Sequence, residues 1–257
     1  MSNIDKVSDL SSVGFTNADK MVNLTKYLSS RGIASRRKVV ELIKNGRISV
    51  NGSIVNTPGV RVGASDVVMV DNELVVPPPP RRRYLMLNKP RGYICSHSDR
   101  HAARLAVSLI NLDPPVRLAA AGRLDCDSEG LLIFSNDGEY LDRIAHPRYE
   151  VCKRYEVELA RELSPEAMEA AQKGVIDSGE TLRVLQIRAL GNRRYEIILN
   201  EGKKREIRRI TAALGAPTRQ LRRVAVGALQ LGTLAPGEWR ELTPEELELS
   251  LRPGIQK

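Results

Sequence analysis

The fold is decided by one stretch, AGRLDCDSEGLLIFSNDG at positions 121–138. It sets a polar, glycine-bounded loop carrying Asp125 between two apolar runs, 116–121 and 130–135, which have the composition of short strands. A carboxylate displayed between two strand ends is a candidate nucleophile. Most loop aspartates only cap a turn, so the spacing alone leaves both roles open for Asp125.

The order of strand-like and helix-like runs on either side of this loop predicts an α+β domain with a mixed, mainly antiparallel sheet flanked by helices. Strands outnumber helices and the links between them are short, which favours antiparallel pairing. Further strands are predicted over 84–93, 151–159, 182–189 and 194–200, and helices over 139–145, 164–174 and 201–214.

A smaller unit is predicted over 21–76. It contains a helix over 24–31, a second helix from the N-cap Ser35 to Lys44, and a hairpin that turns at Asn51-Gly52. Residues 1–20 are polar and without periodicity, which is typical of a disordered extension.

The run PPPPRRR at 77–83 is predicted to be an extended interdomain linker, and the larger domain then covers 84–257. The linker arginines either keep the chain soluble or attract phosphates.

The charge balance points to a polyanionic partner. Forty Lys and Arg against 31 Asp and Glu give a net charge of +9, which favours nucleic acid. No apolar run approaches the roughly 18 residues of a membrane span, and no signal-peptide core precedes the first domain. We therefore expect a cytoplasmic protein that does not bind membranes.

The cysteines and histidines give little support for a metal site. The three cysteines at 95, 126 and 152 form no C-x-x-C spacing, so they are interpreted as free thiols. His97 and His101 lie four residues apart near Cys95, but their segment has no clear apolar face. We expect no bound metal.

Two segments are strongly basic. Residues 21–50 hold seven basic side chains against one acid, and residues 203–223 hold eight against one. In the second segment the apolar residues of the predicted helix fall on one face and the cations on another. Either a solvated surface or a nucleic-acid contact fits this pattern.

Several motifs resemble those of ribosomal RNA pseudouridine synthases that carry a small N-terminal RNA-binding domain. They are the Gly-Arg-Leu-Asp run ending at Asp125, the Lys-Pro-Arg-Gly turn starting at Lys89, the Lys-Arg-Tyr run ending at Tyr155, and the basic helix after 200. Residues 35–52 are similar to the alpha-L RNA-binding domain. The resemblance extends over most of residues 21–250.

This resemblance implies that Asp125, Tyr155 and Arg208 are catalytic. Asp125 attacks the target uridine, Tyr155 stacks on the base and assists proton removal, and Arg208 pairs with Asp125 to keep it ionised. From its residues alone, Tyr155 equally suits a half-buried strand aromatic. Many related synthases have a histidine and a glutamine where this chain has Arg205 and Glu206.

The resemblance and the charge pattern together predict the RNA contacts. The residues expected to bind RNA are Lys26, Arg36, Arg37, Lys38, Arg47, Lys89, Arg123, Lys153, Lys203, Lys204, Arg205 and Arg209. The expected partner is a ribosomal RNA stem-loop or an early ribosomal assembly particle, bound by a monomer without a cofactor.

The region 221–246 looks more like the large-subunit than the small-subunit members of the family. Two other functions fit the basic surfaces. One is a non-catalytic RNA-binding or ribosome-assembly factor, and the other is a DNA-directed regulator.

Overall fold

The computed structural model describes residues 21–63, 66–75, 82–95, 104–112 and 116–252. The predicted extension 1–20, residues 77–81 of the predicted linker and the pair His97 and His101 lie outside these ranges. The chain divides into two compact units between Pro80 and Arg81. No helix in the described ranges is both long and apolar enough to cross a bilayer.

The N-terminal unit packs two helices against short strands around one apolar core. Ser35 accepts a hydrogen bond from the Lys38 N–H and so caps the second helix, as predicted. The core includes Leu28, Val39 and Ile43, which are fully buried. The elements are β1 (Val22–Asn23), α1 (Leu24–Ser30), α2 (Arg36–Lys44), β2 (Ile48–Val50), β3 (Ser53–Ile54), β4 (Arg61–Val62), β5 (Val68–Val70) and β6 (Glu73–Leu74).

The C-terminal unit is built on one large sheet with helices on its faces. Its elements are β7 (Tyr84–Lys89), β8 (Ala119–Ala120), β9 (Glu129–Ser135), α3 (Gly138–Ala145), β10 (Lys153–Leu159), α4 (Pro165–Lys173), β11 (Val175–Asp177), β12 (Glu180–Leu182), β13 (Gln186–Gly191), β14 (Arg194–Leu199), α5 (Glu206–Ala213), β15 (Thr218–Val226), β16 (Leu229–Gln230), β17 (Trp239–Glu241) and α6 (Pro244–Leu251).

The sheet is mixed and mainly antiparallel, which confirms the predicted fold class. Its order is β13-β14-β10-β15-β9-β7-β17, with β8 added to β9 and β16 added to β15. Within it, β9 and β15 pair in parallel and the other named pairs are antiparallel. Alternate residues of β7 enter two apolar cores, with Leu85 and Leu87 in one and Met86 in the other. The sheet is therefore covered on both faces, and its centre is rigidly packed.

Four predicted elements are wrong in extent. The strand predicted over 84–93 ends at Lys89. The strand predicted over 116–121 is reduced to Ala119–Ala120. Leu182 belongs to a separate small hairpin, so the strand predicted from that residue begins at Gln186. The helix predicted from 201 begins at Glu206, because Arg205 has a left-handed backbone with φ of 53° and continues no helix.

Candidate active site

The loop that carries Asp125 connects β8 to β9, and Lys89 holds it in place by hydrogen bonds. Lys89 ends β7 and has no exposed surface. Its ammonium donates to the carbonyl oxygens of Pro90 at 3.2 Å, Asp125 at 3.1 Å and Ser128 at 2.6 Å. Burial lowers the pKa of Lys89. The prediction that Lys89 contacts RNA is wrong, because its ammonium is buried and donates to three backbone carbonyls inside the protein.

The Asp125 side chain faces a cleft of about 280 Å³ and is 36% exposed. The cleft lies among the Asp125 loop, β10, β15 and the segment that leads into α5. Its lining includes both acids and bases. The polar side chains that line it are Arg123, Asp125, Ser128, Lys153, Tyr155, Glu201, Lys203, Lys204, Arg205, Glu206 and Arg223.

The arginines around the loop are arranged differently from the prediction. The nearest cation to the Asp125 carboxylate is Arg205, with its guanidinium at 3.8 Å. Arg208 instead pairs with Asp127 at 3.3 Å and donates to the Asp127 carbonyl at 3.0 Å. The predicted pair of Arg208 with Asp125 is therefore wrong in this structure, since the Arg208 guanidinium is occupied two residues further along the loop.

Asp127 connects the loop to α5 through two guanidinium groups. Arg205 donates to its carboxylate at 3.1 Å, and Arg208 lies 3.3 Å from the same oxygen. Burial opposes ionisation of Asp127, but the two guanidinium groups outweigh it and hold its pKa below the usual value. Arg208 thus contacts the loop at Asp127, and this contact was not predicted from the sequence.

Tyr155 lies on β10 and lines the same cleft as Asp125. Its ring is packed in the apolar core, and only 8% of the residue is exposed. Across the strands it pairs with Arg223 of β15. An aromatic side chain that lines the same cleft as a partly exposed carboxylate can offer a planar base a ring on which to stack.

Two buried cations also line the cleft. Lys153 is 8% exposed, and its ammonium donates to the Ile144 carbonyl at 2.8 Å. Arg223 is 3% exposed and donates from Nε to the Leu131 carbonyl at 2.7 Å. Sequence reasoning missed Arg223, because the basic residues around it give no sign of which one turns inward.

The two residues that depart from the family pattern differ sharply in environment. Arg205 is exposed at the cleft, whereas Glu206 is only 3% exposed and accepts the Lys203 N–H at 3.0 Å. Burial, together with the neighbouring Glu201, raises the pKa of Glu206 to about 7. A carboxyl group with a raised pKa therefore lines the same cleft as the candidate nucleophile.

The other predicted RNA contacts are divided between the two units. Arg36, Arg37 and Lys38 are exposed on α2 of the N-terminal unit, and Arg47 is exposed but paired with Asp71 at 2.5 Å. In the C-terminal unit, Arg123, Lys203, Lys204 and Arg205 all line the cleft. Arg209 lies away from that group and is held by Asp177 at 2.5 Å and Glu180 at 2.7 Å. Lys26 is half-buried on α1.

No group of three or more potential metal ligands occurs within the ranges that the structure describes. Cys126 is exposed and Cys152 is buried, and the Sγ of Cys95 accepts a weak hydrogen bond from the Leu124 N–H at 3.4 Å. The cleft presents the carboxyl groups of Asp125, Glu201 and Glu206, the ring of Tyr155 and several cations.

Both units of the chain match known protein families. Residues 83–213 match the family described as RNA pseudouridylate synthase, and residues 22–68 match the S4 domain. A Bacillus subtilis protein named ribosomal large subunit pseudouridine synthase B is 34% identical, with 89% of this chain and 95% of that protein covered. A Vibrio vulnificus protein named ribosomal small subunit pseudouridine synthase A is also 34% identical, with 88% and 98% covered.

A solved structure described as a pseudouridylate synthase has the same fold. It is 28% identical, covers 88% of this chain and 98% of its own, and superposes with a TM-score of 0.65. The motif positions, the two-unit organisation and these similarities lead to one conclusion: the chain belongs to the RNA pseudouridylate synthase family and carries an S4 domain.

Proposed function

We propose that this enzyme converts a uridine of ribosomal RNA to pseudouridine with Asp125 as the nucleophile. The observation that carries the proposal is the placement of a partly exposed carboxylate and the Tyr155 ring in one cleft. Relatives that cover most of the chain are named for ribosomal RNA substrates. The names include both ribosomal subunits, and the sequence of 221–246 favours the large one.

The proposed reaction begins when the target base leaves its stack, at a cost of a few kcal/mol that contacts with the protein must offset. Asp125 then attacks the nucleotide, at the sugar or at the base. The glycosidic bond breaks, the uracil turns, and carbon 5 forms the new bond to the ribose. The bond to Asp125 also breaks, which returns the carboxylate, and N1 of the uracil takes up a proton from solvent. Tyr155 holds the ring and serves as the general base that removes the proton from carbon 5.

The loop geometry explains how Asp125 is positioned for this role. Lys89 fixes the backbone of Asp125. Asp127, two residues further along the loop, forms the shorter ion pairs with Arg205 and Arg208. Asp125 itself keeps only the longer contact of 3.8 Å with Arg205. A nucleophile needs a free lone pair, which tight pairing with a guanidinium would occupy. The isomerisation requires no oxidant and no energy donor, so the proposal invokes no cofactor.

The test is to map pseudouridine by carbodiimide treatment and primer extension on unmodified large- and small-subunit ribosomal RNA. We expect wild type to give one new stop on the large-subunit RNA and Asp125→Asn to give none. Asp142→Asn is the matched control, because Asp142 is an exposed acid on α3 outside the cleft lining. A stop that persists with Asp125→Asn contradicts the assignment of the nucleophile.

The same experiment separates catalysis from binding. If wild type binds both RNAs tightly and yields no stop on naked RNA or on assembly particles, the chain is a non-catalytic RNA-binding factor. A stop only on small-subunit RNA leaves the chemistry in place and overturns the proposed subunit.

A further inference from the structure

The cleft contains two buried cations that the proposed reaction, as described above, does not use. Lys153 and Arg223 are more than nine-tenths buried, and both line the cleft. None of the ion pairs formed by the described residues includes either of them. Among the residues that the structure describes, the hydrogen-bond acceptors of these two cations are the backbone carbonyls of Ile144 and Leu131. Two positive charges thus line a partly enclosed space, and neither forms an ion pair with the carboxyl groups that also line it.

Arg223 has an unused donor at this position. Its Nε–H is satisfied by Leu131, but Nη2 is buried and has no hydrogen-bond partner. A buried donor without an acceptor destabilises the protein, and a charged donor does so more strongly. A protein keeps such an unpaired donor where a bound ligand supplies the acceptor.

The placement of Arg223 indicates which part of a nucleotide it meets. Arg223 and Tyr155 are direct partners across β15 and β10, so their side chains project from the same face of the sheet. If Tyr155 stacks on the target base, the edge of that base comes within reach of the neighbouring guanidinium. The Lys153 side chain projects from the same face, two residues from Tyr155 on β10.

Depth separates these cations from the others at the cleft. Lys204, Arg205 and Arg123 are exposed, and solvated cations at a rim suit the phosphates of an RNA backbone. A flipped base is the part of a nucleotide that enters a protein most deeply. The buried cations therefore suit the base, and the exposed cations suit the phosphates.

We propose that Arg223, supported by Lys153, binds a ring carbonyl oxygen of the target uracil and stabilises the negative charge that forms there. The inference rests on the proposed function. If Asp125 attacks the ribose, its oxygen bonds to carbon 1′ and the electron pair of the glycosidic bond stays on the uracil. If Asp125 attacks carbon 6, the carbon 5–carbon 6 π pair moves toward the oxygen on carbon 4. Both routes place negative charge on a carbonyl oxygen of the ring.

Lys153 remains available for this role at neutral pH. Burial, and then the charge of Arg223, lowers its pKa to about 8, which still leaves most molecules protonated at pH 7. Two fixed cations in a water-poor site stabilise developing charge better than mobile water does.

The test uses an RNA stem-loop containing the target uridine, or the same RNA with 2-thiouridine or 4-thiouridine at that position. Sulfur is a weaker hydrogen-bond acceptor than oxygen. Single-turnover rates and half-saturating concentrations are measured for wild type, Arg223→Gln and Arg223→Lys. Arg222→Gln is the matched control, since it removes the same charge from the adjacent, half-buried position of β15.

We expect Arg223→Gln to reduce the rate constant about 100-fold or more, with a much smaller change in the half-saturating concentration. Arg223→Lys should recover part of the rate. Wild type and Arg222→Gln should lose about tenfold or more on one of the two thio-substituted RNAs, and Arg223→Gln should show little further loss.

Three results would overturn the inference. The first is folded Arg223→Gln with a rate within about threefold of wild type. The second is equal thio effects in wild type and in the variants. The third needs no variant: wild type that is insensitive to both thio substitutions binds neither carbonyl oxygen through a charged donor, and this result holds even if Arg223→Gln fails to fold.

One control addresses the alternative ligand. RNA with an uncharged methylphosphonate on either side of the target nucleotide should affect wild type and Arg223→Gln equally. If its effect disappears in Arg223→Gln, the arginine binds a phosphate and the assignment to the base is wrong. Failure of the proposed function is distinct from all these outcomes, because wild type would then form no pseudouridine on the unmodified RNA.

Discussion

At the scale of single residues, the site depends on charges that the fold has taken out of water. Lys89, Lys153, Glu206 and Arg223 are all more than nine-tenths buried, yet they come from separate parts of the chain. A buried charge is costly unless hydrogen bonds or a ligand compensate it. Each of these residues therefore has a measurable consequence for stability or for activity.

Replacing Lys89 with Met should destabilise the protein and the loop together. The change leaves the carbonyls of Pro90, Asp125 and Ser128 without their shared donor. We expect the free energy of unfolding to fall by roughly 2–4 kcal/mol, measured by urea denaturation, and pseudouridine formation to fall with it. Lys173→Met, at a position 74% exposed on α4, should stay within about 0.5 kcal/mol of wild type. Equal losses in the two variants would contradict the role of Lys89.

Glu206 should make stability depend on pH. Its pKa is about 7 when folded, against 4.5 as the ordinary value, so the folded state favours the protonated form. That stabilisation is fully present below about pH 4.5 and is lost as pH rises through 7. Relative to Glu206→Gln, wild type should lose about 2–3 kcal/mol between these limits, measured by urea denaturation across the range. Glu201→Gln should reduce this dependence of stability on pH. If the difference in the free energy of unfolding between wild type and Glu206→Gln does not change with pH, the pKa of Glu206 is not raised.

The residues that the sequence predicted best are those that act through a local motif. The loop around Asp125 is a contiguous signature, so its location required no knowledge of the tertiary structure. Arg223 and Glu206 gave no such signal, because burial is decided by strands and helices distant in sequence. The pairing of Arg208 with Asp127 was missed for the same reason, since the choice between two aspartates two residues apart is a matter of geometry.

At the scale of elements, the junction of β9 and β15 decides whether the site is assembled. It is the parallel pair of the sheet, with Arg223 opposite Gly130 and Arg222 opposite Glu129. It joins the strand that follows the Asp125 loop to the strand that carries Arg223. The loop and the far wall of the cleft are therefore fixed relative to one another by this short contact.

Gly130 should tolerate no side chain. Its φ is +105°, and a Cβ there would lie 2.2 Å from the Arg223 carbonyl oxygen, so the two strands would have to separate. We expect Gly130→Ala to lower the free energy of unfolding by about 3 kcal/mol or more. Gly232→Ala is the control, since Gly232 also has a positive φ but open space around it, and it should cost about 1 kcal/mol. Thermal and urea unfolding of both variants would decide, and similar costs would contradict the steric argument.

The strand β15 is one of the elements that sequence reasoning failed to assign. It is nine residues long and central in the sheet, yet its sequence TRQLRRVAV holds three arginines and no simple alternation. Its register against β10 shifts at two places, which disrupts the period of two expected for a regular strand. By contrast, α2, α4 and α6 were predictable because each has a side-chain N-cap written into the sequence.

At the scale of the whole molecule, charge is distributed over two units that fold around separate cores. The net charge of +9 includes the exposed cations of α2 and the exposed cations at the cleft. Two basic surfaces on one chain suit a long polyanion better than a single small ligand.

Binding to ribosomal RNA should weaken steeply with salt. For six or more phosphate contacts, affinity falls about a thousandfold or more between roughly 50 and 200 mM salt. Arg36→Glu combined with Arg37→Glu should weaken binding and reduce the slope of log affinity against log salt by about 2, measured by filter binding. Charge reversal at the exposed Lys173 and Arg252 is the matched control. An unchanged slope in the α2 variant would show that this helix does not contact phosphates.

Lys89 donates its hydrogen bond to the backbone carbonyl of Asp125 and not to the Asp125 carboxylate. The backbone carbonyl of Asp125 therefore keeps the loop in place, and the side-chain carboxylate is left for the reaction. The loop can remain in place while the carboxylate is ionised, bonded to a nucleotide or released again, because none of those states alters the carbonyl that Lys89 grips. A covalent intermediate could therefore form and break down while the hydrogen bond that holds the loop stays the same.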